Sequence, residues 1–408
     1  MNTLNQSQFA VLSVLAEAGN GSVRELAATT RLSLGTISSV LRGLRELPDP
    51  AVSENGEVTE AGLRLLEPYR VKNAVIMAAG LSSRFAPISY EKPKGLLTVR
   101  GEVLVERQIR QLKEAGVDEI YLVLGYKKEE FFYLEDEMGV HIRINNEYLT
   151  RNNNSTIKCV EDVLDNTYIC SSDDYFTSNP FEPYVFQSYY SGVYAEGATE
   201  EYCFTMKGRE NRISSVSVGG SDAWQMMGHV YWDRSFSRSF VNILNAVYDA
   251  PETASKLWED IYIDHLEDLP MVVRKYEPGV IWEFDSLDEV SAFDPTFIQN
   301  VDSSILDNIC EVLNCGRSEI SEIAPIKQGL TNLSFRFNVR GEAYVYRHPG
   351  EGTDEIINRE SEAFSQAIAH DLGLDDTFIY EDGSEGWKIS RFIEDCHTLD
   401  YHNWDEVA

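Results

Sequence analysis

Ala74-Val-Ile-Met-Ala-Ala-Gly-Leu-Ser-Ser-Arg-Phe-Ala-Pro-Ile-Ser-Tyr-Glu-Lys-Pro-Lys-Gly-Leu-Leu97 decides the reading of this chain. Its first residues are apolar without alternation, the pattern of a strand buried on both faces of a parallel sheet. Ala78-Ala79-Gly80 follows, three small residues that let the backbone pass close to a bound molecule. Arg84 and Lys94 then supply fixed positive charge, which suits phosphate oxygens.

Working outward, Glu102 to Gly116 is an amphipathic helix ending at a glycine cap, Glu119–Leu124 a second buried strand and Thr167–Cys170 a third. This βαβ rhythm over residues 69–296 predicts an α/β fold with a doubly wound, mostly parallel sheet and ligands over the carboxyl ends of its strands. The Ala74–Leu97 string resembles the signature loop of nucleotidyltransferases, which join a nucleoside triphosphate to a phosphorylated small molecule on such a sheet.

That resemblance implies roles for particular residues. Ala78, Ala79 and Gly80 would approach the nucleotide, Lys94 the α-phosphate and the attacking phosphate, and Arg84 the β- and γ-phosphates. The transfer needs several negative charges neutralised, by cations and by carboxylate-held Mg²⁺. Mg²⁺ takes one or two carboxylates beside phosphate oxygens and water. Asp173, in Cys170-Ser-Ser-Asp-Asp-Tyr-Phe-Thr177, resembles the family's metal-binding Asp, with Asp174 close behind it. Asp285, in Val280-Ile-Trp-Glu-Phe-Asp-Ser-Leu-Asp-Glu-Val290, resembles its second one. Asn152-Asn-Asn-Ser-Thr156 resembles the family's Asn-rich turn, which places Asn154 and Ser155 near base or ribose.

The acceptor is suggested by aromatics beside acids. A quaternary ammonium offers no hydrogen bonds and is held by aromatic faces and carboxylates. Trp258, Glu259, Asp260 and Tyr262 form such a cluster, and Trp282 with Glu283 lies next to Asp285 in sequence. Taken singly, a Trp is more often core than cage. The cluster is similar to that of bacterial CTP:phosphocholine cytidylyltransferases, which implies CTP and phosphocholine as substrates and CDP-choline and pyrophosphate as products. A sugar-1-phosphate nucleotidyltransferase would keep Arg84, Lys94 and Asp173 but needs groups that read hydroxyls. A third alternative is a transcriptional regulator that uses the transferase domain as a ligand sensor.

Residues 1–68 resemble a winged helix-turn-helix. Ser22 and Ser33 are N-caps, Ser22 and Glu25 have capping-box spacing, and Asn55-Gly56 is a hairpin turn in Val52–Thr59. DNA binding would run through Ser33 to Leu44. Residues 1–66, however, hold five Arg, no Lys and seven acids, a net charge of about −2. DNA-binding modules are usually basic, so a regulatory or packing role is favoured. Residues 297–408 resemble the N-lobe of choline and aminoglycoside kinases. Gly329-Leu-Thr-Asn332 would be its phosphate loop, Arg347 its strand cation, Glu360 or Glu362 the helix partner and Trp387–Glu394 the hinge strand. Nothing after Glu394 offers the base and metal site that phosphoryl transfer needs, so kinase activity is not expected.

The 408 residues carry a net charge of −32, which argues against non-specific binding to nucleic acid or anionic membrane. No export signal or membrane-length apolar run is visible, and the six scattered cysteines read as reduced thiols, so a cytoplasmic location is expected. Self-association remains open.

Overall fold

The computed structural model describes residues 4–326, 332–350, 352, 353, 356–394 and 402. The chain forms two compact units, Met1–Gly80 with Leu104–Glu283, and Leu81–Val103 with Phe284–Ala408. The linear division at 68 and 296 is therefore not the spatial one. Residues 1–68 belong to the first unit, and the stretch with Arg84 and Lys94 belongs to the second. Contacts inside the second unit give the reason. The Arg100 backbone N–H donates to Asp294 (2.8 Å), and its guanidinium lies 3.6 Å from the Phe293 ring centroid.

The first unit opens with α1 (Gln6–Ala18), α2 (Val23–Thr30), α3 (Leu34–Arg45) and α4 (Glu60–Leu66). Ser22 and Glu25 close the expected capping box on α2, and the Ser33 hydroxyl caps α3. A bridge between Val52 and Val58 closes the Asn55-Gly56 turn, with Gly56 at φ +88°. Leu12, Leu15, Leu26, Ile37 and Leu44 are buried together, and Tyr184 from the following sheet region joins the same core. Phe9 packs 5.1 Å from Tyr69 and 5.3 Å from Phe186. These helices are thus not an independent bead but share a core with the sheet that follows.

In chain order the strands begin with β1 (Asn73–Ala78). Next come β2 (Thr98–Val99) and β3 (Glu102–Val103), which pair with each other in a two-stranded ladder. Then follow β4 (Ile120–Leu124), β5 (His141–Ile144), β6 (Thr167–Ser171), β7 (Asp174–Phe176), β8 (Tyr189–Lys207), β9 (Arg212–Trp232), β10 (Val272–Tyr276) and β11 (Ile281–Glu283). The main sheet has the order β10-β8-β9-β6-β1-β4-β5. Its β6, β1, β4 and β5 run parallel, with buried apolar runs in β1, β4 and β6, and β8 and β9 form a long antiparallel hairpin beside them. The β7–β11 ladder sets Asp174 opposite Glu283.

The second unit holds the helix Ser304–Leu313 and a five-stranded antiparallel sheet. Its strands are β12 (Ile320–Pro325), β13 (Asn332–Val339), β14 (Glu342–Pro349), β15 (Phe378–Glu381) and β16 (Lys388–Arg391), in the order β12-β13-β14-β16-β15. Phe335, Phe337, Tyr346 and Ile389 are buried in it. Arg347 on β14 pairs with Glu362 (2.5 Å), the expected helix partner, and also with Glu381 (2.8 Å), which was not expected; Glu360 is exposed. Of the expected phosphate loop, residues 329–331 lie outside the described residues. Among the described residues no helix is long and apolar enough to cross a membrane, and the five described cysteines are free thiols.

Candidate active site

Parallel pairing brings two sequence-distant ends together in the first unit. Met77 on β1 pairs with Ser171 on β6, and the Ser172 N–H donates to the Met77 carbonyl (3.1 Å). Ala78-Ala79-Gly80 and Asp173 therefore leave the sheet side by side at its carboxyl edge, where ligands of such sheets bind. Asp173 sits in the β6–β7 turn, partly exposed, while Asp174 is 1% exposed on β7. Of the two acids, Asp173 is the more accessible. A Cβ on Gly80 would meet no described heavy atom within 4 Å. The sterically demanding glycine is Gly125 after β4, whose Cβ would lie 2.7 Å from the Ala79 carbonyl oxygen. The next residue, Tyr126, donates its N–H to that oxygen (3.2 Å). Gly125 thus fixes the turn from outside it.

Arg84, Lys94 and Asp285 come together in the second unit. Lys94 Nζ lies 3.5 Å from Asp285 Oδ1, and Arg84 Nη1 lies 3.1 Å from Asp285 Oδ2. The Lys94 side chain is only 9% exposed and its ammonium lies 4.8 Å from the Phe85 ring centroid, whereas Arg84 is 72% exposed. Burying an ammonium is costly unless a counter-charge lies beside it. Asp285 supplies that charge, and its backbone N–H is held by Glu289 (2.6 Å).

The expected cage is only partly where the sequence puts it. Trp258 and Tyr262 are 1% and 0% exposed and belong to the main core, with Trp258 edge-on to Trp232 at 5.1 Å. Their ring faces are therefore core surfaces and not a cage. On the helix Trp258–Asp264, residues 258, 261 and 262 share the inward face at i, i+3, i+4 spacing, which leaves Glu259 and Asp260 partly buried beside it. Asp260 is a capping residue: it accepts the Leu257 N–H (2.8 Å) and the Tyr202 hydroxyl (2.9 Å). Trp282 is partly exposed and its indole donates to the Gly279 carbonyl (3.2 Å).

Glu259 is the acid that fits a site. Its carboxylate accepts from Asn153 Nδ2 (3.1 Å) and from the Tyr190 hydroxyl (3.4 Å), and burial pushes its pKa up to about 7. The Tyr190 ring stacks on Trp258 (5.9 Å, 14°). Desolvation first, then the charges of Glu259, Glu283 and Asp174, hold the Tyr190 hydroxyl well above its usual range. Three carboxylates thus act on one buried hydroxyl. Glu283 is oriented by the Gly228 N–H (3.1 Å), and Gly228 at φ +82° has room for no Cβ, which would fall 2.8 Å from Ile281.

Asn154 and Ser155 are fully buried and bonded within the protein. Asn154 Nδ2 donates to the carbonyls of Thr253 (2.9 Å) and Lys256 (2.5 Å), and the Ser155 hydroxyl donates to the Asn152 carbonyl (2.8 Å). Asn154 ties the Asn-rich turn to the loop before Glu259, while Ser155 closes the turn on itself and accepts from Asn145 Nδ2 (2.8 Å). Asn153, between Glu259 and the Trp258 N–H (2.7 Å), joins that turn to the acid. Tyr190, Gly125 and Gly228 were not found from sequence, while Glu283 and Asn153 stood beside sequence candidates, in the Trp282-Glu283 pair and in the Asn-rich turn.

Residues 74–174 match the family model described as the MobA-like NTP transferase domain. The chain is 31% identical over 216 residues to the choline-phosphate cytidylyltransferase of Streptococcus pneumoniae, covering 53% of this chain and 94% of that protein. It is 34% identical over 230 residues to the 2-aminoethylphosphonate cytidylyltransferase of Lancefieldella rimae, covering 55% of this chain and 93% of that protein. This chain belongs to the cytidylyltransferase family of nucleotidyltransferases. The solved CTP:phosphocholine cytidylyltransferase of Streptococcus pneumoniae superposes with a TM-score of 0.53 at 30% identity, over 55% of this chain and 98% of that one. The cytidylyltransferase part is thus a whole relative within a longer chain.

Proposed function

We propose that this chain transfers CMP from CTP to a small phosphorus acid carrying a cationic nitrogen, phosphocholine or 2-aminoethylphosphonate. The observation that carries the reading is the Glu259 carboxylate held by Asn153 (3.1 Å) and the Tyr190 hydroxyl (3.4 Å), with Asp174 and Glu283 set opposite each other on the β7–β11 ladder of the same unit. A sugar 1-phosphate brings hydroxyls that a carboxylate can accept from but no cation, so it gains hydrogen bonds without the charge pairing an ammonium makes with Glu259. An ammonium would restore full charge to Glu259, which burial alone holds half-protonated near neutral pH.

Between the two acceptors, the hydrogen-bonding set favours a nitrogen that bears hydrogens. Glu259 and the Tyr190 hydroxyl can accept from a primary ammonium, whereas a trimethylammonium needs ring faces. The Trp258 and Tyr262 faces expected for that purpose lie in the core. Trp282 remains partly exposed and supports phosphocholine as the second reading.

The transfer is a direct displacement. An acceptor oxygen bonds to the α-phosphorus of CTP, the α–β bridging P–O bond breaks, and pyrophosphate leaves. A phosphate monoester is largely a dianion near neutral pH, its second pKa being about 6, so no protein base is required. Lys94, fixed by burial, would stabilise charge at the reacting phosphorus, and exposed Arg84 would follow the outer phosphates. Asp173 and Asp285 are each a carboxylate of the kind Mg²⁺ takes beside phosphate oxygens. Among the described residues no three His, Cys, Asp or Glu side chains converge on a metal position. Mg²⁺, when bound with the nucleotide, would neutralise phosphate charge as a Lewis acid.

The N-terminal helices read best as part of the transferase unit. Gly35, Thr36 and Ser39 on α3 line an open surface recess together with Asn5, Gln6 and Glu210. Arg31 lines another with Arg274 and Lys275. Pyrophosphate release with CTP tests the function. Turnover with phosphocholine or 2-aminoethylphosphonate but not glucose 1-phosphate supports it, and turnover with the sugar phosphate alone overturns it.

A further inference from the structure

We propose that the C-terminal sheet positions the catalytic loop, acting through Tyr90 and Glu91. The proposal rests on Arg84 and Lys94 being the charges that meet the nucleotide. Tyr90 and Glu91 lie between them in sequence, at the end of the short helix Ile88–Glu91. Both side chains point into the second unit.

Glu91 is built into a helix start. Its Oε1 accepts the backbone N–H groups of Ser304 (2.8 Å) and Ile305 (3.2 Å) and the Ser304 hydroxyl (2.6 Å), while Oε2 accepts the Ser303 hydroxyl. A carboxylate that satisfies orphan N–H groups at the positive end of a ten-residue helix is a firm anchor. The anchor is itself held, because Arg317 bonds both the Ser303 carbonyl (3.2 Å) and Asp307 (2.7 Å). Asn308 on the same helix donates to the Tyr346 hydroxyl of β14 (3.1 Å).

Tyr90 makes the second attachment. It is 6% exposed, stacks on His348 of β14 (6.1 Å, 22°) and packs against Phe335 of β13 (6.2 Å). Its hydroxyl donates to the Ser334 carbonyl (3.3 Å), and burial pushes its pKa up to about 12, so it stays a donor. The loop is therefore fixed on two sides between its two cations. A displacement of about 1 Å at a charge-bearing group can cost about a hundredfold in rate.

The test uses the full chain with Glu91→Ala, Glu91→Gln and Tyr90→Phe, measuring kcat, both KM values and the melting temperature. Glu91→Ala is expected to lower kcat by about tenfold to a hundredfold, with the acceptor KM unchanged because Glu259 belongs to the other unit. Glu91→Gln, which keeps shape and loses charge, should fall between Ala and wild type. A kcat within twofold of wild type in Glu91→Ala overturns the proposal, as does a loss explained entirely by unfolding at the assay temperature. Should Glu91→Ala fail to fold, Ser304→Ala and Tyr90→Phe each remove one bond and should lower kcat without moving the acceptor KM; unchanged kcat in both overturns the proposal. Lys94→Ala separates the two levels. An active Lys94→Ala would sink the assignment of the loop charges, whereas an inactive Lys94→Ala beside normal Glu91 variants would sink the positioning role alone.

Discussion

Lys94 and Asp285 form an ion pair of 3.5 Å in which the lysine is buried and the aspartate is 41% exposed. The buried partner is thereby fixed, while the exposed one is open to solvent. Lys94→Met keeps the apolar stem and removes the charge. Its kcat should fall by at least about a hundredfold, the loss seen when one preorganised charge-stabilising group is removed. Pyrophosphate release checks this, and a kcat within tenfold of wild type would count against the assignment.

Glu259 predicts a pH dependence. Its pKa is raised from 4.5 to about 7, so the free enzyme gains the carboxylate as pH rises through about 7. A cationic acceptor binds the charged form, so its kcat/KM should rise over that interval and the rise should vanish in Glu259→Gln. Stability has the opposite sign. A carboxyl whose folded pKa is raised contributes stability present at low pH and lost as pH climbs from 4.5 to about 7. The melting temperature of Glu259→Gln should therefore exceed wild type at pH 8 and approach it at pH 5.

Trp258 and Trp282 differ in burial: the first is a core ring and the second is partly exposed. Trp258→Ala removes a fully buried ring and should cost about 3–5 kcal/mol in chemical denaturation. Trp282→Ala leaves the core intact and should change the acceptor KM with little loss of stability. Equal destabilisation by both would contradict the distinction.

The shared core of residues 1–68 predicts coupled unfolding. Phe9→Ala should cost about 3 kcal/mol, and the loss should appear in the same transition that reports on the main sheet, since Phe9 touches Phe186. A separate early transition would show an independent N-terminal domain.

The parallel strands, the small-residue turn and the capped helices α2 and α3 were legible because each follows from local pattern: unbroken apolar runs, serine caps and glycine stops. The proposed acceptor site was less legible. Aromatics beside acids pointed to the helix Trp258–Asp264, but only the 3.6-residue count applied to Trp258, Ile261 and Tyr262 separates its inward ring face from Glu259. Tyr190 reaches Glu259 from a strand remote in sequence, and no spacing rule links them. The β8–β9 hairpin stayed hidden because its register shifts break the alternation that reveals strands. The spatial division was hidden for a similar reason, since Tyr90 and Glu91 find their partners far along the chain.

The most direct test of the central claim is the acceptor KM of Glu259→Gln, measured with CTP saturating and with 2-aminoethylphosphonate and phosphocholine in turn. A rise of tenfold or more for the acceptor, with the CTP KM unchanged, is the predicted result. An unchanged acceptor KM with both compounds would contradict the claim that this carboxylate reads the cationic nitrogen.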